Sequence, residues 1–99
     1  MIKIKKPEEI ETMKEGGRRH SFILSEVAKI VRPGVSTQEL EDLALRLVLE
    51  GGDKAACLNY KPRGAKRPFP SCVCVSVKNE IVHGIPNENP TILQEGDIV

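Results

Sequence analysis

The chain has 99 residues, 39% of them hydrophobic and 29% charged, which is enough for one compact unit and excludes a second independent core. Fifteen basic and 14 acidic residues leave a net charge of +1, so no global field draws the chain to nucleic acid or to an anionic membrane. No apolar run approaches the roughly 20 residues of a membrane span, and no hydrophobic segment follows the basic opening Met1 to Lys6 as it would in an export signal.

Pro7-Glu8-Glu9 reads as a helix start, with proline where its missing N–H costs nothing and two carboxylates at the positive end of the helix dipole. From there Ile10, Met13, Gly17, His20, Leu24, Val27 and Val31 recur at steps of three and four, predicting one long amphipathic helix that runs to Arg32-Pro33-Gly34. Gly16 and Gly17 each weaken a helix by about 1 kcal/mol relative to alanine, so a close-packed neighbour or a bend is expected there. Ser36 to Glu39 has the spacing of a capping box, and Val35 with Leu40 can close a hydrophobic staple around it. The second helix carries the stripe Leu40, Leu43, Ala44, Leu47 and Val48 and ends at Gly51-Gly52. Two such helices predict an αα-hairpin whose apolar faces need a further surface.

That surface is expected from the second half, where Ala55–Leu58, Cys72–Val77, Ile81–His83 and Ile98–Val99 read as short strands of a mainly antiparallel sheet. Lys78-Asn79 is placed at a hairpin turn, with Asn79 suited to positive φ, and residues 87–90 and 95–97 read as further turns. The fold class is therefore α+β. Phe22, Tyr60 and Phe69 are the only large rings, so the core is aliphatic. The three cysteines, with no secretory signal, fit a reducing cytosol.

His83 is the first candidate for chemistry, because an imidazole near pKa 6.5 exchanges protons at neutral pH and the following Gly-Ile-Pro restricts its motion. The competing explanation is a histidine that satisfies a backbone carbonyl at a strand end. His20 falls on the helix stripe and receives no catalytic role. In an extended segment Cys72, Cys74 and Ser76 share one face and Val73, Val75 and Val77 the other, so the thiol face suits the wall of a narrow apolar pocket, one that a thioether packs against well. A zinc set of Cys57, Cys72, Cys74 and His83 is the alternative, against which stands the single-residue spacing of Cys72 and Cys74. Lys61, Arg63, Lys66 and Arg67 put four cations and no acid into seven residues, a solvated loop or a contact for RNA.

Five ordered stretches carry a resemblance: Lys6 to Gly17, Val31 to Leu40, Phe69-Pro70, Ser76 to Pro86 with its Val-His-Gly-Ile-Pro ending, and Leu93 to Val99. Together they resemble the amino-terminal half of the type I methionine aminopeptidases. The resemblance implies the pita-bread fold, of which residues 1–99 supply the first half, and two divalent ions (Co, Mn, Fe, Zn or Ni) that activate water to remove initiator methionine from nascent chains. It implies that His83 is catalytic and binds substrate, and that Cys57, Tyr60, Phe69 and Cys74 line the pocket for the methionine side chain. The segment from Tyr60 to Phe69 is longer and more basic than is usual in that family, and a ribosome contact through Lys61, Arg63, Lys66 and Arg67 is one use for it. The family's metal ligands are expected beyond Val99, with Asp97 in a turn and not a ligand, so residues 1–99 alone are expected to be inactive and the complete protein a cytoplasmic monomer. The alternatives from other classes are a metal-free pita-bread relative acting as a binding module near the ribosome, and a small zinc-binding domain.

Overall fold

The computed structural model describes residues 1–99 and contains two helices, α1 (Pro7–Lys29) and α2 (Thr37–Glu50). Both starts follow from local chemistry. At α1, Pro7 occupies the first turn and the Lys6 amide donates to Glu9 Oε2 at 2.7 Å. At α2, Ser36 Oγ accepts from the Gln38 amide at 3.2 Å while the Ser36 amide donates to Glu39 Oε1 at 3.4 Å, closing the expected box. Val35 and Leu40 are both buried, as the staple requires.

α1 ends at Lys29 rather than at Arg32. Arg32 precedes Pro33, which disfavours helical backbone, and the chain tightens beforehand into three-residue bonds from the Ile30 and Val31 amides to Val27 and Ala28. The expected stripe is only partly used, since no residue of α1 is fully buried and Ile10, Met13 and Leu24 are exposed. Val27 and Ile30 make the packing contact with the core. A Cβ at Gly16 or Gly17 would meet nothing, so the close-packed neighbour expected there is not present. Arg19 ties the helices together, its guanidinium donating to the Gly51 carbonyl at 3.0 Å and to Asp53 Oδ1 at 2.7 Å.

The core is small and aliphatic: Val35, Leu40, Val75, Val77 and Leu93. Val75 and Val77 point inward while Cys74 is exposed, as the alternation read from the sequence requires, but Cys72 is buried and does not share the exposed thiol face expected of it. The expected sheet is not formed. One isolated antiparallel bridge, Ser36 with Ile92, is the only strand pairing, flanked by bonds from the Gly34 amide to the Leu93 carbonyl and from the Leu93 amide to the Val35 carbonyl, each at 2.8 Å. Between residues 72–77 and 81–85 there is a single backbone bond, Val75 N to Gly84 O at 3.0 Å.

The reason is visible in the donors. Glu41 takes the amides of Cys72 and Val73, Glu80 takes that of Val77, and Ser76 Oγ takes that of Gly84, so side chains occupy positions a neighbouring strand would need. Positive φ at Lys78 (59°), in the turn, and at His83 (58°), in the middle of the second arm, then breaks the pleat. The left-handed turn residue is Lys78, not Asn79.

Candidate active site

His83, Cys74, Phe69, Tyr60 and Cys57 line one cavity of about 690 Å³, together with Ala56, Pro62, Ala65, Arg67, Pro68, Pro70 and Ile85. Three pieces of chain build it. The first is the segment after α2, where Cys57 and Tyr60 lie on either side of Asn59, whose φ of 64° turns the backbone. The second is the basic loop, closed at its base by reciprocal bonds at 2.8 Å from Asn59 N to Phe69 O and from Phe69 N to Tyr60 O. The third is the pair of extended arms that brings Cys74 Sγ within 3.9 Å of His83 Nδ1.

His83 occupies the left-handed region that histidine tolerates better than most residues. Its position is enforced by the next residue. Gly84 is buried against the Val75–Ser76 backbone so tightly that an added Cβ would press on the Val75 carbonyl oxygen and lie 2.7 Å from its carbon. Only glycine permits that approach, and it fixes where the imidazole begins.

Cys72 and Cys74 stay protonated at neutral pH. Burial, then Glu41, then Cys57 push Cys72 above the usual thiol range, and burial, then Cys57, then Glu41 push Cys74 the same way. A neutral thiol behaves as a small polarisable apolar group, so Cys74 offers the cavity a soft wall and, when the ring is neutral, a weak S–H donor to Nδ1. The basic loop is less uniform than it reads in sequence. Arg67 turns to the cavity and forks onto Glu88, with Nη2 to Oε2 at 2.7 Å, and its hydrogen bonds hold the Glu88 carboxyl below the usual range. Lys61, Arg63 and Lys66 make no ion pair.

No three His, Cys, Asp or Glu side chains converge on a common point. Cys57, Cys72, Cys74 and His83 therefore form no zinc cage, and residues 1–99 do not fit a divalent metal centre. Asp97 Oδ2 accepts from the Gln94 amide at 2.9 Å and Oδ1 sits 3.5 Å from Lys78 Nζ, the work of a turn residue. Sequence reading missed Arg67 as a wall of the cavity. It also missed Glu41, whose signal was its place three residues before Ala44 and seven before Val48 on the α2 stripe.

Residues 11–99 match the profile of metallopeptidase family M24. The chain belongs to this family. It is 36% identical to the methionine aminopeptidase of Aquifex aeolicus over 99% of its own length and 38% of the relative's, and 37% identical to that of Escherichia coli over 99% and 35%. Among solved structures, methionine aminopeptidase from Thermotoga maritima superposes with a TM-score of 0.86 at 37% identity, covering 99% of this chain and 36% of that one. The enzyme from Rickettsia prowazekii gives 0.85 at 33%, covering 98% and 36%. The chain thus spans little more than a third of these relatives. Membership of a metallopeptidase family implies a divalent metal. Neither helix is long and apolar enough to cross a membrane.

Proposed function

We propose that the chain forms the side-chain pocket and the proton-handling edge of a methionyl aminopeptidase that acts in the cytosol, as a monomer, on the amino termini of nascent proteins. The observation that carries this reading is the cavity itself, where two aromatic rings and two thiols surround space that opens beside one constrained imidazole. A thioether gains about 0.3–1.5 kcal/mol from each good contact with an aromatic ring, so Tyr60 and Phe69 favour methionine over an aliphatic side chain of similar size. Cys57 and Cys74, with their small polarisable sulfurs, complete the wall.

On this reading His83, at the wall of the cavity, faces the peptide bond that follows a bound methionine. It donates to or accepts from that peptide and holds the proton that leaves with the new amino terminus. The relatives are nearly three times as long, and on this reading the ligands for the divalent ions, of the Co, Mn, Fe, Zn or Ni type, come from the portion this chain does not span. Within residues 1–99 the contribution is binding, orientation and proton transfer.

The test is a chimera in which this chain replaces the matching segment of the Thermotoga maritima enzyme. The chimera is expected to release methionine from Met-Ala-Ser, and His83→Ala to lower kcat by about a hundredfold, the low end for a general acid or base. Turnover within threefold of the parent, with metal content unchanged, defeats the assignment. A partner contact is favoured separately by Lys61, Arg63 and Lys66, which present charge without any carboxylate partner. We assign them to ribosomal RNA. Reversing the three charges should abolish co-sedimentation with ribosomes at low salt and leave peptide cleavage intact.

A further inference from the structure

We propose that Glu41, remote in sequence from the cavity, is the residue that positions Cys74 against His83 and thereby sets the width of the pocket. The inference rests on the pocket reading above. Glu41 is 3% exposed and projects from α2 toward the first extended arm. Both of its oxygens are used: Oε1 accepts from the Cys72 amide at 2.7 Å and Oε2 from the Val73 amide at 3.2 Å. No cation pairs with it, so this buried carboxylate is held by backbone donors alone.

The two bonds orient the peptide planes that enter Cys72 and Val73. The next plane is set by Ser71, fully buried, whose Oγ donates to the Val73 carbonyl at 2.7 Å. Three consecutive peptide units before Cys74 are therefore pinned to α2 and to each other. Immediately after it, Val75 N reaches Gly84 O at 3.0 Å and Gly84 N reaches Ser76 Oγ at 3.2 Å. Cys74 is the one residue between the two sets of ties, and the direction of its thiol follows from both. Releasing the first set frees the arm to rotate about the second, and the 3.9 Å approach of Sγ to Nδ1 changes with it.

Two variants separate positioning from bulk stability. Glu41→Gln keeps the shape but sets an NH2 group against one backbone N–H. Glu41→Asp keeps both acceptors and withdraws them by one methylene. In the 99-residue chain carrying Cys57→Ser, alkylation of Cys74 by iodoacetamide is expected to rise at least about threefold in Glu41→Gln and less in Glu41→Asp. In the chimera, kcat/KM for Met-Ala-Ser relative to Leu-Ala-Ser should fall about tenfold in Glu41→Gln, with partial recovery in Glu41→Asp. A smaller folded fraction scales both substrates alike and cancels from the ratio. An unchanged ratio beside a lowered melting temperature overturns the proposal and leaves Glu41 a structural carboxylate. If the parent chimera cleaves neither peptide, the aminopeptidase reading falls, and the alkylation rate in the chain, taken at a temperature where circular dichroism shows parent and variant equally helical, decides the positioning role, an unchanged rate overturning it.

Discussion

Replacing Gly84 by alanine is the sharpest single perturbation the structure offers. The new Cβ would press on the Val75 carbonyl oxygen and lie 2.7 Å from its carbon and 2.9 Å from Ser76 Cα, and all three neighbours are backbone, so no side chain can rotate away. Restoring an ordinary contact of 3.4 Å to the carbonyl carbon alone means parting the arms by about 0.7 Å, and clearing the nearer carbonyl oxygen requires more. The Val75 N to Gly84 O bond would stretch from 3.0 to at least about 3.7 Å, and the Gly84 N to Ser76 Oγ bond from 3.2 to at least about 3.9 Å, both beyond useful range. Two bonds at about 1 kcal/mol each, with at least one part-buried donor left without a partner, give a loss of about 2–4 kcal/mol. For a domain of this size that lowers the melting temperature by roughly 10–30 °C.

The assay is thermal denaturation followed by helical circular dichroism, with Gly17→Ala as the internal control. A Cβ at Gly17 meets nothing, and alanine is the better helix former by about 1 kcal/mol, so the control should melt higher than the parent. Opposite signs for two identical glycine-to-alanine changes would tie the loss to close approach rather than to composition. A Gly84→Ala protein that melts within about 2 °C of the parent refutes the reasoning, because it would mean that the arms part at no cost and that His83 is not held by them.

Other outcomes follow from single features. Ser36→Ala removes the cap of α2 and half of its box, and should cost about 1 kcal/mol, a fall of roughly 4–8 °C in the melting temperature. His83→Gly relieves a left-handed non-glycine residue and should leave the chain as stable as the parent or up to about 1–2 kcal/mol more so by urea titration, while His83→Ala brings no gain. Glu15 is held down to about 2 by hydrogen bonds from Arg18 and Arg19, so its contribution is present above the ordinary value of 4.5 and is lost as pH falls toward 2. The melting-temperature difference between the parent and Glu15→Gln should therefore be present at pH 7 and vanish near pH 2. Cys74 is pushed above the ordinary thiol value of 9.0, first by burial, so its alkylation at pH 8 should lag that of free cysteine and gain on it only at higher pH.

The parts of this fold that were legible in the sequence are those decided within a few residues. Pro7 at a helix start, the Ser36–Glu39 box and its staple, and the alternation of Cys74 with Val75 and Val77 are all local, and all appear in the structure. The sheet was not legible, because ladder formation depends on which group reaches each amide first. The acceptors that reach Cys72 and Val73 lie 31 and 32 residues away on α2, which no periodicity in the arm itself reveals. Nor did the stripe of α1 disclose that Val27 and Ile30 would pack while Ile10 and Met13 would not. Of the cavity residues, Phe69 and His83 lie in the ordered stretches and Cys57, Tyr60 and Cys74 came from the family resemblance, whereas Arg67 was read only as part of a charged loop. Its pairing with Glu88 brings together residues 21 apart.

The same substitution of side chains for a ladder explains how an irregular backbone can hold an imidazole in place. A left-handed histidine costs about 1–3 kcal/mol, and a hairpin bound by one backbone bond would relax that strain by swinging His83 away. Hydrogen bonds to a buried charged group contribute about 1.5–3 kcal/mol each, and Glu41 accepts two, with Ser71 and Ser76 adding a neutral bond apiece. Those ties exceed the strain, so the left-handed geometry persists without a sheet. They also act on opposite sides of Cys74, which lets the thiol–imidazole contact be tuned from α2 without touching the cavity wall. A regular ladder would bind the arm as firmly but would forbid positive φ at the one residue whose side chain must leave the pleat.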